Sequence, residues 1–179
     1  TRYWRDWSSD VCSSDLGKSM LVDLPMSKVP MDFDQFLFEL QSRQVTPIIA
    51  HPERCGQFQQ DPEQLVEFIM KGYALQVNGA SLRGKYGPRA TETAELILEK
   101  RWAHFLATDA HRPRSIALLK AAGAVAAEEL GLDDAYIELL TRQSGQCVID
   151  GKPLPELPTA PVIERKQKKQ GLMSRLFGR

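Results

Sequence analysis

Residues 48–54 read IIAHPER, a short apolar run that ends in side chains able to bind metal and phosphate. Residues 105–111 have the same design and read FLATDAH. Each pattern predicts a buried β-strand whose carboxyl end carries polar, ligand-type residues. Because parallel α/β barrels place their chemistry at that end of their strands, the two stretches together indicate an enzyme.

The composition is that of an ordinary globular protein with one core. The chain has 179 residues, of which 42% are apolar and 26% are charged, and domains commonly contain about 100–150 residues. Its 23 basic residues balance 23 acidic residues. The body therefore lacks the positive field of a general nucleic-acid binder, and we expect no nucleic-acid partner.

The cysteines and the hydropathy favour a cytoplasmic location. Cys12, Cys55 and Cys147 are far apart and form neither a CxxC pair nor a disulfide framework. The sequence contains no apolar stretch near the roughly 20 residues that span a bilayer, and its first residues contain no signal-peptide core. We therefore expect a cytoplasmic protein.

Strand-like and helix-like segments alternate from Met20 onward, which predicts an α/β fold around a parallel sheet. The predicted strands are residues 20–24, 47–50, 74–77 and 104–107, with a short further strand at 147–149. Helices with a 3.6-residue apolar period lie between them. Their starts are predicted, in chain order, at Asp32, Asp61-Pro62, Pro88, Ser115 and Asp133.

The two ends of the chain differ from this body. Residues 1–17 show neither helical nor strand periodicity, and CSSDL at 12–16 matches the translation of a common sequencing adapter. We expect residues 1–17 to be a non-native segment, the alternative being a genuine disordered arm. The predicted organisation then continues with a folded domain at 18–151, a proline-rich linker at 152–164 and a basic amphipathic tail at 165–179.

Four residues at the predicted strand ends have the chemistry of metal ligands: Asp23, His51, Asp109 and His111. The carboxyl ends of parallel strands meet at one rim, so these side chains can converge. Imidazole and carboxylate suit divalent ions such as manganese, zinc or iron, which make water nucleophilic near neutral pH. Each residue also has a structural interpretation, with His51 as a core histidine, Asp109 as a turn cap and Asp23 as an edge residue.

Phosphate-binding groups lie beside these residues. Arg54 could clamp a phosphate bidentately, as could Arg112 or Arg114 in the later motif. Residues 78–81, Asn-Gly-Ala-Ser, offer further donors or form an ordinary glycine turn. Cys55 suggests a cysteine-based phosphatase, but the phosphate loop of those enzymes places its arginine several residues after the cysteine.

In order and spacing, four segments resemble the manganese-dependent bacterial tyrosine phosphatases of capsule and exopolysaccharide synthesis, in the polymerase and histidinol phosphatase (PHP) superfamily. The segments are DLP at 23–25, IAHPER at 49–54, QVNGASL at 76–82 and TDAH at 108–111. The resemblance implies a distorted (β/α)7 barrel that holds two or three metal ions and hydrolyses phosphotyrosine. It also implies that the substrate is an autophosphorylating tyrosine kinase that controls polysaccharide export.

The resemblance also assigns roles by position. Arg54 matches a phosphate-contacting arginine of the family, and Arg114 matches a second one in a looser register. Asp23 stands where the family usually has a glutamate ligand, and its shorter side chain would shift that ligand by about one methylene. The remaining metal ligands implied by the match are His51, Asp109 and His111.

One departure from the family is large. Its members begin with a His-x-His strand end, a downstream aspartate and a glutamate in the next unit, whereas His51 is the first histidine of this chain. We therefore expect a partial barrel that lacks its first βα units and about half of its metal ligands, with impaired phosphatase activity. Two alternatives stay open: a PHP-superfamily phosphoesterase for small molecules, and a non-catalytic fragment that only binds.

The tail at 165–179 mixes basic residues with apolar residues at helical spacing. Such a segment can make weak contacts with an anionic membrane surface or an acidic partner, or it can remain solvated.

Overall fold

The computed structural model describes residues 18–110 and 118–159. In these ranges strands and helices alternate as β1 (Ser19–Val22), α1 (Phe33–Ser42), β2 (Thr46–Ala50), α2 (Gly56–Gln60), α3 (Leu65–Met70), β3 (Ala74–Asn78), α4 (Pro88–Glu99), β4 (Phe105–Ala107), α5 (Leu118–Leu130), α6 (Asp134–Glu138) and α7 (Ser144–Ile149). Short 3₁₀ turns at Pro52–Arg54 and Pro62–Gln64 precede α2 and α3, and a π-helical turn at Leu139–Gln143 joins α6 to α7.

The strands of this part of the chain form one parallel sheet in the sequential order β1-β2-β3-β4. Leu21 lies opposite Ile48, Ile49 opposite Leu75, and Val77 opposite Leu106. Parallel neighbours require a crossover connection, and here helices lie in all three connections. The predicted α/β class and parallel sheet are confirmed, and the carboxyl ends of all four strands lie at one edge.

The core lies on both sides of the central strands β2 and β3, which explains why these strands lack an alternating pattern. In β1, by contrast, Leu21 is exposed between two buried residues. All five residues of β3 are buried, as are the last four residues of β2. Helix α1 buries Phe33, Leu37 and Leu40 on one face. The aromatic rings of Phe33 and Phe58 each pack edge-on against Phe68, with centroids 6.1 and 5.9 Å apart.

Local signals fix several helix ends. Gly87, with a φ of 90°, precedes Pro88 at the first position of α4, where a missing N–H costs nothing. Asp133 caps α6, because its Oδ1 accepts the Tyr136 N–H at 2.9 Å. Asp32 occupies the N-cap position of α1, but its side chain forms no capping hydrogen bond with any residue that the structure describes.

The predicted strand at 147–149 is wrong, because these residues belong to α7. The helix ends in a Schellman motif: the Lys152 N–H donates to the Cys147 carbonyl at 2.8 Å and the Gly151 N–H to the Val148 carbonyl at 3.2 Å. Gly151 adopts the left-handed φ of 63° that this motif requires. The sequence Asp150-Gly151, which follows the apolar residues of the predicted strand, is therefore a helix C-cap.

Of the predicted linker at 152–164, the structure describes residues 152–159. Residues 152–159 contain neither helix nor strand, and Leu157 among them packs against the core. The predicted non-native segment at 1–17 and the basic tail at 165–179 lie outside the described residues. Within the described ranges, no helix combines the length and the apolar character needed to cross a membrane.

Candidate active site

Three of the strands deliver polar side chains at the same edge of the sheet. Asp23 directly follows β1, His51 directly follows β2, and Asp109 comes two residues after β4. His51 and Asp109 have left-handed backbone conformations, with φ angles of 34° and 49°. For residues other than glycine this costs about 1 kcal/mol or more, and such strain concentrates at functional sites.

The first close pair at this edge is His51 with Asp23. The Nε2 atom of His51 lies 3.4 Å from the Oδ1 atom of Asp23. Burial lowers the pKa of His51 from its ordinary value, while the charge of Asp23 opposes that shift. The imidazole is therefore neutral near pH 7, which is the form that binds metal ions. Its Nδ1 atom is buried and has no hydrogen-bond partner among the described residues.

The second close pair is Arg54 with Asp109. An Nη atom of Arg54 donates to Asp109 Oδ2 at 3.2 Å, and the Asn78 side-chain amide donates to the same oxygen at 3.4 Å. Both members of the ion pair are largely buried, with side-chain exposures of 19% and 24%. The charges of Arg54 and Asp109 also act on the pKa of His51, so the two pairs are electrostatic neighbours.

Glu53 is a buried residue of the site that the sequence did not predict. Its Oε1 accepts hydrogen bonds from Ser81 Oγ at 2.6 Å and from the Asn78 N–H at 3.0 Å. Burial raises the pKa of this fully buried side chain to about 7, although both hydrogen bonds oppose the rise. Glu53 thereby ties the turn after β2 to the turn after β3. A lone glutamate in a sequence predicts a solvated residue, so only the fold identifies this one.

Tyr86 is a second residue that the sequence did not predict. It lies in the loop between β3 and α4, and the centre of its ring is 4.3 Å from the Arg54 guanidinium carbon. The Lys85 ammonium lies 5.2 Å from the same ring. The ring gives Arg54 an aromatic neighbour in addition to its carboxylate partner.

The described residues supply metal donors but not a complete metal site. The neutral imidazole of His51 beside the Asp23 carboxylate is the donor chemistry that divalent ions prefer. Within residues 18–110 and 118–159, however, no group of three or more His, Cys, Asp or Glu side chains is arranged to hold an ion. Asp109 is engaged by Arg54, and the candidate ligand His111 lies outside the described ranges.

The other candidates fall into two groups. Arg112 and Arg114, the later phosphate-binding candidates, lie outside the described residues with His111. Cys55 is buried, with 1% exposure, and is not placed to attack a substrate. His104 precedes β4, at the opposite end of that strand from Asp109, and burial lowers its pKa to about 4.

Acidic, imidazole and guanidinium groups thus lie at the carboxyl edge of a parallel α/β sheet, which is where enzymes of this architecture place their active sites. The model of one protein family, capsular polysaccharide synthesis CpsB/CapC, matches residues 11–150. The chain belongs to this CpsB/CapC family.

Two relatives are similar to this chain over about half of its length. Tyrosine-protein phosphatase YwqE of Bacillus subtilis strain 168 is 33% identical over 98 residues, which are 55% of this chain and 39% of YwqE. Putative tyrosine-protein phosphatase CapC of Staphylococcus aureus is 35% identical over 92 residues, which are 51% of this chain and 36% of CapC. The matched region thus spans less than two fifths of either relative.

A solved structure shares the fold. It comes from a study of YwqE from Bacillus subtilis and CpsB from Streptococcus pneumoniae, described there as metal-dependent tyrosine phosphatases. The TM-score is 0.69 at 27% identity, and the match covers 81% of this chain and 58% of the other.

Proposed function

We propose that residues 18–151 are part of a metal-dependent protein-tyrosine phosphatase that acts in capsule or exopolysaccharide synthesis. The observation that carries this proposal is the Arg54–Asp109 ion pair at 3.2 Å, beside His51 and Asp23 at one sheet edge. A phosphate-binding cation and metal-type donors are both needed to hydrolyse a phosphate ester. The names of YwqE and CapC favour a phosphotyrosine substrate over a small phosphate ester.

The fold we propose is part of a distorted (β/α)7 barrel of the PHP type. The repeating unit of such barrels is a strand followed by a helix. The four parallel strands in sequential order, with helices between them, fit a series of such units. The TM-score of 0.69 to a family structure supports this assignment. Strand β1 would then pair on its open edge with a preceding strand of the complete barrel.

The proposed roles follow from chemistry and position. Arg54 binds the substrate phosphate through its guanidinium fork, with Arg114 as a second phosphate contact. The metal ligands are Asp23, His51, Asp109 and His111, and the ion is manganese. When bound, such an ion acts as a Lewis acid toward the phosphate. We assign hydrolysis to the complete family protein, because the match to this chain covers 39% of YwqE and 36% of CapC. In residues 1–179 alone we expect impaired activity.

The proposed substrate is a phosphotyrosine protein, specifically an autophosphorylating tyrosine kinase in the cytoplasm. The capsular polysaccharide family supports this partner, because tyrosine phosphorylation is what the named relatives reverse. The basic tail at 165–179 is proposed to make at most weak contacts with the membrane or with this kinase.

A chimera tests the proposal directly. The part of YwqE that precedes its matched region is fused to this chain before Lys18, and phosphate release from a phosphotyrosine peptide is measured with Mn²⁺ and with EDTA. We expect strong Mn²⁺-dependent turnover by the chimera and little by the unfused chain. The same chimera with His51→Ala or Arg54→Met should lose turnover.

Two results would contradict the proposal. A folded chimera without activity, or one whose activity persists in EDTA, would remove the metal-dependent mechanism. Turnover by the unfused chain at the rate of YwqE would instead disprove the impairment. Hydrolysis of small phosphate esters without any phosphopeptide hydrolysis would favour the small-molecule phosphoesterase.

A further inference from the structure

The loop between β3 and α4 places Tyr86 against the guanidinium group of Arg54. The ring centre lies 4.3 Å from the guanidinium carbon, well inside the distance at which a cation is attracted to an aromatic face. Tyr86 is half-buried, whereas its neighbours Lys85 and Pro88 are exposed. The ring therefore faces the site although the loop that carries it faces solvent.

Arg54 is held from a second direction by Asp109. The Nη–Oδ2 distance of 3.2 Å places the carboxylate beside the guanidinium edge, while the Tyr86 ring lies near its central carbon. An arginine side chain has many rotamers, and a phosphate that binds a mobile arginine must overcome the entropy of fixing one of them. The Tyr86 ring near the central carbon removes part of this cost before the phosphate arrives, whereas the Asp109 carboxylate occupies the edge that the phosphate would bind.

We propose that Tyr86 is a positioning residue for phosphate recognition: its aromatic face holds the guanidinium fork of Arg54 in a binding orientation. This inference rests on the proposed function, because it assigns to Arg54 the role of phosphate contact. The ring contributes through its π face, and its hydroxyl is not required. A phenylalanine in its place would therefore serve equally well, whereas an aliphatic side chain would not.

The second cation near the ring does not replace this role. The Lys85 ammonium is 5.2 Å from the ring centre, farther than the Arg54 guanidinium carbon. Lys85 is also exposed, so its charge is screened by water and salt. It provides a matched control: removing Lys85 takes one cation from the ring and leaves the contact between Arg54 and Tyr86 in place.

The test measures the affinity of the whole chain for inorganic phosphate and for free O-phosphotyrosine by isothermal titration calorimetry. The variants are Tyr86→Phe, Tyr86→Leu, Tyr86→Met, Lys85→Met and Arg54→Met, each checked for an unchanged melting temperature. We expect Tyr86→Phe to bind within twofold of the unsubstituted chain. Tyr86→Leu and Tyr86→Met should bind roughly fivefold more weakly, since the lost cation–π contact is partly desolvated.

The outcomes separate this inference from the proposed function. If Arg54→Met abolishes binding while both aliphatic variants bind like the unsubstituted chain, the role of Tyr86 is overturned and the role of Arg54 stands. If Tyr86→Phe binds as weakly as Tyr86→Leu, the π-face argument is overturned. If the unsubstituted chain binds neither ligand, or binds both independently of Arg54, the phosphate site and the inference fail together.

Discussion

The Glu53 carboxylate accepts a hydrogen bond from the Ser81 hydroxyl at 2.6 Å, although the two residues are 28 positions apart. The same oxygen accepts the Asn78 backbone N–H at 3.0 Å. Both contacts are buried, so the loops after β2 and β3 are joined by a carboxylate shielded from water. This contact sets the position of the turn that carries Arg54 relative to Asn78 at the end of β3 and Ser81 in the turn after it.

Substitution of Glu53 should therefore destabilise the fold. Glu53→Ala leaves a buried N–H and a buried hydroxyl without their acceptor, and we expect a loss of about 2–4 kcal/mol in the free energy of unfolding. Glu53→Gln keeps one acceptor oxygen and should cost less than half as much. Urea unfolding monitored by circular dichroism measures both changes.

A double-mutant cycle provides the control. Glu53→Ala combined with Ser81→Ala should be less destabilising than the sum of the two single changes, since each removes one partner of the same bond. Strict additivity would show that the contact does not contribute to stability in solution.

Gly79 should tolerate no side chain. A Cβ at this position would lie 2.5 Å from the Cβ of Ala122, and the Gly79 N–H donates to the Ala107 carbonyl at 2.8 Å. Gly79→Ala must push α5 away from the sheet edge, so we expect a loss of about 1–3 kcal/mol. Gly145→Ala is the matched control, because its added Cβ meets no described atom within 4 Å apart from its chain neighbours and the backbone of its own helix.

The control should be neutral or stabilising by up to about 1 kcal/mol, the usual gain of alanine over glycine inside a helix. Thermal unfolding of the two variants, compared with the unsubstituted chain, measures the difference. Equal melting temperatures for Gly79→Ala and the unsubstituted chain would show that α5 does not pack on the sheet as described.

The buried imidazole of His104 should make the free energy of unfolding depend on pH. Burial lowers its pKa in the folded chain to about 4, from 6.5 in an exposed histidine. Between these values the unfolded chain binds a proton that the folded chain does not, so stability is fully present above pH 6.5. It should fall by about 3 kcal/mol as the pH drops from 6.5 to 4, and change little below that for this group.

The variant His104→Leu isolates this effect. The difference in unfolding free energy between the unsubstituted chain and the variant should change across pH 4–6.5 and stay constant between pH 7 and 8. Urea titrations at a series of pH values give this difference directly. If the difference in unfolding free energy were independent of pH over the whole range, the imidazole of His104 would be exposed to water in the folded chain.

The strands were the most predictable part of the fold. The four predicted runs at 20–24, 47–50, 74–77 and 104–107 agree with β1 to β4 to within two residues at each end. For β2 and β3 the physical reason is burial on both faces, which makes them largely apolar runs bounded by polar residues. The failed strand at 147–149 has a similar apolar run, but the preceding helical turns and a Schellman cap decide its structure.

The candidate site was predictable only where strand ends imply proximity. Asp23 and His51 lie together, as do Arg54 and Asp109, while their chemical roles stay predictions. The place of Glu53 in the site could not be predicted from the sequence. Its hydrogen-bond partner Ser81 is 28 positions away and becomes its neighbour only in the folded chain.

Because Arg54 pairs with Asp109, replacing Asp109 should change the affinities for phosphate and for Mn²⁺ in opposite directions. The Asp109 carboxylate lies 3.2 Å from the guanidinium edge of Arg54, where its charge repels an incoming phosphate. Asp109→Asn removes that charge, so we expect inorganic phosphate to bind roughly threefold more tightly without metal. The same change removes a proposed metal ligand, so Mn²⁺ affinity should fall.

Calorimetric titrations with phosphate alone and with Mn²⁺ alone measure the two effects separately. Asp134→Asn is a charge-matched control, because Asp134 is an exposed residue of α6 and the net charge changes equally. The control excludes a general charge effect if it leaves both affinities unchanged. Weaker phosphate binding by Asp109→Asn would mean that the carboxylate holds Arg54 in its binding orientation and does not compete with the phosphate. In that event Asp109 and Tyr86 would act on Arg54 in the same direction, and the carboxylate would have to remain beside the arginine when phosphate binds.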